Sequence, residues 1–430
     1  MLNQPHVTVE PRSAERTFAS SHSTTTIPAA GQAPLPARTE VSPGLKHTET
    51  PDPLLSRHEL GPKALTGLSR KTKIIATLGP ATENGDVLRS LLEAGVSVFR
   101  VNLACFSRES VMKAVYAIRS ISTELQRPVA LMLEVLPSPG CTPGAPAITE
   151  SDWADIRFGL ECGVDWLAIS AGRDGDAVRQ LRQFLVEQKR SNLSILARIK
   201  NPSTLIALDQ ILQDADGIIL SGVSQTNEGY EEETFRVIQK CVRARKLAVL
   251  ATGLNSGVTS ALSAYPDALL LAAETSLGSN PLGSVQTLDG LIRREESNDL
   301  REVPADIPLT TEQDKSVAAA VHHANETRAE AIVVLARLGD TAALCTALRP
   351  RQARVFVFTP DARLARRLRL HYALESIVLP FSTAPKATLI AAEKVLRERK
   401  FVTAGAKLVF ITDPLDQSQR TSSVSVRTMA

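Results

Sequence analysis

Two cationic side chains lie near the end of an alternating run, Ser194-Ile-Leu-Ala-Arg-Ile-Lys-Asn201. Ile195, Ala197 and Ile199 alternate with Leu196, Arg198 and Lys200, and the run ends at Asn201-Pro202. In a strand, side chains repeat every second residue, so Arg198 and Lys200 share one face near its carboxyl end. At about 7 Å they repel by about 2 kcal/mol in a medium of effective dielectric near 20. Carboxylates or a bound anion must offset that repulsion. Glu134 and Glu274 also fall at strand ends, as do Arg100 and Arg173. Two readings stay open: structural ion pairs, in which the glutamates neutralise the cations, or a metal-free pocket for a phosphorylated or carboxylated small molecule.

Histidine chemistry is restricted by position. His6, His22, His47 and His58 precede residue 69, His322, His323 and His371 come late, and none lies between Lys71 and Val321. The five cysteines include no CxxC pair, so no zinc or disulfide framework is written into the chain. The net charge of +3 is too small to point to nucleic acid or a membrane surface, and no run approaches the about 18 apolar residues of a spanning helix.

The elements that must carry these residues alternate strand with helix from Arg70 onward. Strands are expected at 73–77, 96–103, 129–134, 166–170, 194–199, 217–220, 248–252 and 268–271. Helices fall between them, among them 83–94, 108–125, 177–188 and 231–245. Eight strands with helical crossovers point to an α/β fold, a (β/α)8 TIM barrel over residues 69–300, whose carboxyl end is where chemistry is built. The competing open doubly wound sheet lacks a Gly-rich fingerprint after its first strand.

A C-terminal α/β domain with a mainly parallel sheet is expected over 310–430. Its helices are read at 315–327, 340–348, 361–371 and 385–399. Its strands are read at 331–336, 355–359, 376–380, 407–412 and 421–427. Residues 1–68, rich in Pro, Ser, Thr and Ala, read as a flexible tail. Glu10 and Glu15 count against a transit peptide, so a cytoplasmic protein is expected, with organellar targeting as the alternative.

Lys71-Thr-Lys-Ile-Ile-Ala-Thr-Leu-Gly-Pro-Ala81 resembles the first barrel strand of pyruvate kinase, and the likeness continues in order. It runs through Phe99-Arg-Val-Asn102, Ala251-Thr252 and Asp267–Thr275, then Ala331–Leu335, Val357–Pro360 and Gly405–Thr412. The resemblance implies conversion of phosphoenolpyruvate and ADP to pyruvate and ATP with Mg²⁺ and K⁺, and a homo-oligomer or a hetero-oligomer with a related subunit. It places Arg198 at the family's catalytic Lys and Thr252 near the substrate methylene carbon. Arg100 falls at a phosphate-contacting Arg, and Ser170 and Arg173 at the end of the fourth strand. Asn102 and Glu134 are remnants of the monovalent-cation site, with Ala104 and Val135 at its other positions.

The departures matter as much. Lys200 stands where the family has a metal-binding Glu, and Ser221–Gln225, where its metal-binding Asp falls, has no acid. An ammonium repels a divalent ion, so a metal could be held here only by a relocated set such as Glu134 and Glu274. A Pro/Gly-rich loop, 136–147, stands where the family inserts its lid domain, and the helix after the seventh strand is largely deleted between Asn255 and Ala264. The expected protein is a lid-less member with little or no kinase activity, acting as an anion-binding or assembly subunit. The alternatives are an active kinase with a moved metal site, or another oxo-acid enzyme. The loop Ala336–Thr341 reads as a helix cap, although the matching loop of regulated members binds a sugar phosphate.

Overall fold

The computed structural model describes residues 70–104, 106–135, 147–172, 174–221, 230–254, 257–298, 306–412 and 423–429. The tail expected over 1–68 lies outside them, as do Arg173 and most of the loops 136–147 and 221–225.

Eight parallel strands close on themselves: β1 (Lys73–Thr77), β2 (Val98–Val101), β3 (Ala130–Val135), β4 (Trp166–Ser170), β5 (Ser194–Ile199), β6 (Gly217–Leu220), β7 (Leu247–Ala251) and β8 (Ala268–Leu271). β8 pairs with β1 through Lys73–Ala268 to Ala76–Leu271, which excludes the open sheet. The period-two pattern sorts the side chains into two cores. Ile74, Phe99, Leu131, Leu167, Ile195 and Ile218 face the helices, and Ile75, Val98, Met132, Ala168, Leu196, Ile219, Val249 and Leu270 fill the barrel. Gly217 starts β6 because a Cβ there would lie 2.5 Å from the carbonyl oxygen of Leu247.

Helices α1 (Gly85–Glu93), α2 (Arg108–Glu124), α3 (Glu150–Glu161), α4 (Asp176–Glu187), α5 (Leu208–Asp214) and α6 (Tyr230–Arg243) alternate with the strands. Each of α1 to α3 has a side-chain N-cap, Asn84, Ser107 and Thr149, which satisfies an otherwise orphaned backbone N–H. The helix after β7 is shortened rather than lost: α7 covers Gly257–Ser263. The four-residue α8 (Ala273–Ser276) and the long α9 (Pro281–Asn298) complete the barrel.

The second sheet runs in the order β11-β10-β9-β12-β13. It comprises β9 (Ala331–Leu335), β10 (Arg354–Thr359), β11 (Leu374–Val378), β12 (Lys407–Thr412) and β13 (Ser423–Thr428). Only β13 is antiparallel, to β12. Helices α10 (Glu312–Glu326), α11 (Asp340–Ala347), α12 (Ala362–Leu368) and α13 (Pro385–Glu398) flank it.

The helix expected over 361–371 stops at Leu368. The residues that follow insert into the amino-terminal end of the barrel, where Leu370 joins the interior core and the indole Nε1 of Trp166 donates to the Arg367 carbonyl at 3.2 Å. Ala373 ends this plug at φ 56°, and its N–H is bound by the Lys71 carbonyl at 2.9 Å. Helical geometry could not carry the chain into that opening and back.

Candidate functional site

The interior row of each strand ends at the carboxyl mouth of the barrel. Counting by twos from Ile75, Val98, Met132, Leu196 and Ile219 gives Thr77, Arg100, Glu134, Arg198 and Ser221. These five side chains form one chain of polar contacts. The Glu134 carboxylate has no exposed surface; one oxygen accepts from Arg100 Nε and the other from Arg198 Nη1. Arg100 Nη1 donates to Thr77 Oγ1 at 3.0 Å, and Arg198 Nε donates to Ser221 Oγ at 3.0 Å. Thr77 Oγ1 in turn donates to the Leu271 carbonyl at 2.7 Å. The chain therefore links β8, β1, β2, β3, β5 and β6. Both oxygens of the buried carboxylate are thus met by guanidinium groups, one from β2 and one from β5.

β4 is bridged without taking part. Its residue in register with Arg198 is Ser170, whose small side chain lets the guanidinium of Arg198 cross to β3. Arg198 keeps 11% of its side chain exposed, against 5% for Arg100, so Arg198 is the member of the cluster that meets solvent at the mouth. Two guanidinium cations against one carboxylate leave a net positive charge in a water-poor pocket, which favours an anion.

The remaining candidates surround this cluster without joining it. Thr252 lies just past β7, half-buried, its hydroxyl donating to the Gly253 carbonyl at 3.0 Å. Asn102 is buried, and its Oδ1 accepts from the Ala104 N–H at 3.0 Å. Glu274 is half-buried in α8, and its Oε2 accepts from the Ala272 N–H at 3.2 Å. Lys200 departs from the expected pairing with Arg198. It is exposed and borders a small cleft with Pro202, Leu205, Glu233 and Thr234, since the strand has ended one residue earlier. Thr77 and the Ser221 hydroxyl were not singled out from sequence, although the period-two count from Lys73 and from Gly217 reaches both.

A divalent ion does not fit these donors. Glu134 would have to release two guanidinium groups before it could bind metal, and Glu274 contributes a separate carboxylate tied to its own helix. Among the described residues, no group of three or more His, Cys, Asp and Glu side chains converges to hold a metal ion.

Comparison with known proteins bears on the same residues. The family model described as "Pyruvate kinase, barrel domain" matches residues 69–138 and 135–285, and "Pyruvate kinase, alpha/beta domain" matches 314–427. The chain belongs to the pyruvate kinase family. Pyruvate kinase of Methylorubrum extorquens is 23% identical over an alignment covering 80% of this chain and 94% of that protein. Pyruvate kinase of Staphylococcus aureus is 24% identical, covering 80% and 77%. A chloroplastic pyruvate kinase isozyme A of Nicotiana tabacum is 24% identical, and there the match spans only about half of the relative, 51%. The two barrel segments meet at the connection between β3 and α3, residues 136–149, a length suited to a loop. Among the described residues no helix is long and apolar enough to cross a membrane.

Proposed function

We propose that this pyruvate kinase family member uses its barrel mouth as a metal-independent receptor for a small carboxylate- or phosphate-bearing anion. In this reading, phosphoryl transfer from phosphoenolpyruvate to ADP is weak or absent. The observation that carries the proposal is the Arg100–Glu134–Arg198 cluster, in which both oxygens of the buried carboxylate are held by guanidinium groups and a positive charge is left over.

Phosphoryl transfer needs cations that bridge the phosphates and neutralise the developing charge. Here Arg100 and Arg198 supply positive charge from the protein itself. A guanidinium binds a carboxylate or phosphoryl group in the ground state, but it stays protonated at any working pH and cannot pass a proton to an enolate. The connection between β3 and α3, residues 136–149, is also too short to hold a domain that would close over a nucleotide.

A coupled assay with phosphoenolpyruvate, ADP, Mg²⁺ and K⁺ is expected to give turnover more than tenfold below the about 1–100 s⁻¹ of ordinary kinases. Titration calorimetry with oxalate in EDTA is expected to show binding that Arg198→Gln weakens by about tenfold to a hundredfold, the worth of one charged hydrogen bond. Ordinary turnover, or Mn²⁺ binding that depends on Glu134 or Glu274, overturns the proposal.

A further inference from the structure

At the opposite end of the barrel, a cavity of about 350 Å³ lies between α2 with the turn that follows it and the edge of the C-terminal sheet. Arg119, Arg127, Arg366 and Arg399 all line it, and no carboxylate does among the described residues. Two of them share the buried carboxylate of Asp165, which lies outside this lining. Its Oδ1 accepts from Arg366 Nε at 2.8 Å, and its Oδ2 accepts from Arg119 Nη2 at 3.0 Å. One carboxylate thus serves two guanidinium groups. Arg127 is 5% exposed and donates through Nη1 to the Leu92 carbonyl at 2.8 Å, while its buried Nε has no partner among the described residues. Glu375, whose charge acts on Arg127, is already held by Lys73 and Arg369. Arg399 donates to the Gln126 carbonyl and Oε1, at 3.1 and 2.8 Å. Burial lowers the pKa of Arg119, Arg127 and Arg399, Arg127 to about 9, which marks these cations as poorly solvated and incompletely neutralised.

The rest of the wall is apolar: Pro128, Ala362, Ile377 and Val378. Val378 leaves 45% of its surface exposed, next to the guanidinium groups. We infer that this interdomain cavity is a second binding site, separate from the barrel mouth, for a small organic phosphate whose phosphoryl group meets the arginines and whose flat or apolar body covers Ile377 and Val378. Guanidinium forks match phosphate geometry and also stack on flat rings. The volume is that of a small-ligand pocket. Because Arg119 and Arg127 come from the barrel while Arg366 and Arg399 come from the C-terminal domain, the bound phosphate clamps one to the other and stabilises the fold by mass action.

Phenyl phosphate is the probe, with phenol and inorganic phosphate as controls for its two halves, in titration calorimetry on the full chain. Saturable binding is expected, tighter than either control. Ala362→Glu, at an exposed position in the first turn of α12, puts a carboxylate into the wall where a helix tolerates one. It is expected to weaken binding at least tenfold, as is Arg399→Gln, while Arg198→Gln at the mouth changes it less than twofold. Absence of saturable binding to the wild type overturns the inference. So does equal binding by Ala362→Glu and Arg399→Gln, or loss in Arg198→Gln alone, which places the probe at the mouth. Since oxalate binding at the mouth is read separately, either proposal can fail without the other.

Discussion

Glu134 has no exposed side-chain surface, and both of its oxygens are held by guanidinium groups, so its loss leaves two buried cations facing each other. Removing the shared partner of a buried ion pair costs about 3–5 kcal/mol. Glu134→Gln is therefore expected to lower the urea midpoint by an amount equivalent to that range at unchanged slope. The same change raises the net charge of the mouth by one unit, so oxalate should bind the folded variant about tenfold more tightly and restore part of the lost stability. Loss of stability without a gain in oxalate affinity would mean that Glu134 organises the mouth rather than merely balancing its charge. His371 offers a second test at this scale. Burial pushes it down to about 4, with Asp267, Arg349 and Arg367 as its charged neighbours and its Nδ1 3.3 Å from the Leu368 carbonyl. The unfolded chain takes up that proton near pH 6.5, the folded chain only near 4. Between those values the unfolded state binds more protons, so stability falls as pH drops from 6.5 towards 4, by up to about 3 kcal/mol. Urea titrations of wild type and His371→Asn across that window should show the slope shrink in the variant.

Strands were the legible elements. β1, β4, β5, β6 and β8 match the expected ranges at both ends, because their apolar runs are bounded by turns and their interior and exterior residues alternate. Closure of the barrel followed from counting eight such units, and Arg198 at a strand end pointed to the candidate site. What the sequence left open was the choice between ion pairs and a vacant anion pocket. That choice depends on which cation reaches Glu134, a distance across β4 that no periodicity encodes. Lys200 illustrates the limit: period two puts it on the face of Arg198, but the strand ends at Ile199 and the side chain turns to solvent beside Glu233. The early end of α12 was hidden for a related reason, since Arg369-Leu-His-Tyr-Ala373 has helix-compatible residues and leaves the helix only because the barrel offers a socket for Leu370. Ser170 yields the prediction at this scale. Ser170→Leu places a branched side chain in register with Arg198, in the path of its contact with Glu134. It should cost about 1–3 kcal/mol by overpacking and abolish oxalate binding, measured by urea unfolding and calorimetry, whereas Ser170→Ala should leave both nearly unchanged.

Barrel and C-terminal domain meet through a buried set of charges that is short of acids. Glu375 accepts from Lys73 at 3.1 Å and from Arg369, Arg127 lies nearby, and Nε and Nη2 of Arg369 are buried with no partner among the described residues. Asp267 plays the matching part for Arg349, at 2.8 Å, while that guanidinium lies 4.4 Å from the centre of the Tyr372 ring. The described residues from 70 onward belong to one compact unit. Burial lowers Lys73 to about 8 despite Glu375, so the lysine is a surplus cation whose charged form the fold supports poorly. Glu375, held well below the usual carboxylate range by Arg369 and Lys73 against the opposing effect of burial, is the group that cannot be spared. The two single changes should thus part company. Lys73→Met removes a cation while Glu375 keeps Arg369, and it is expected to cost less than about 1 kcal/mol. Glu375→Gln strands Lys73, Arg127 and Arg369 together, and is expected to cost about 3–5 kcal/mol. Because the lost contacts are those that dock the C-terminal domain, urea unfolding followed by tryptophan fluorescence, which reports Trp153 in α3 and Trp166 in β4, should separate from unfolding followed by circular dichroism in Glu375→Gln. The two probes should coincide in wild type and in Lys73→Met. Coincident transitions in Glu375→Gln would show that packing of Leu370 and Tyr372 holds the two domains together, with the buried charges following rather than directing the docking.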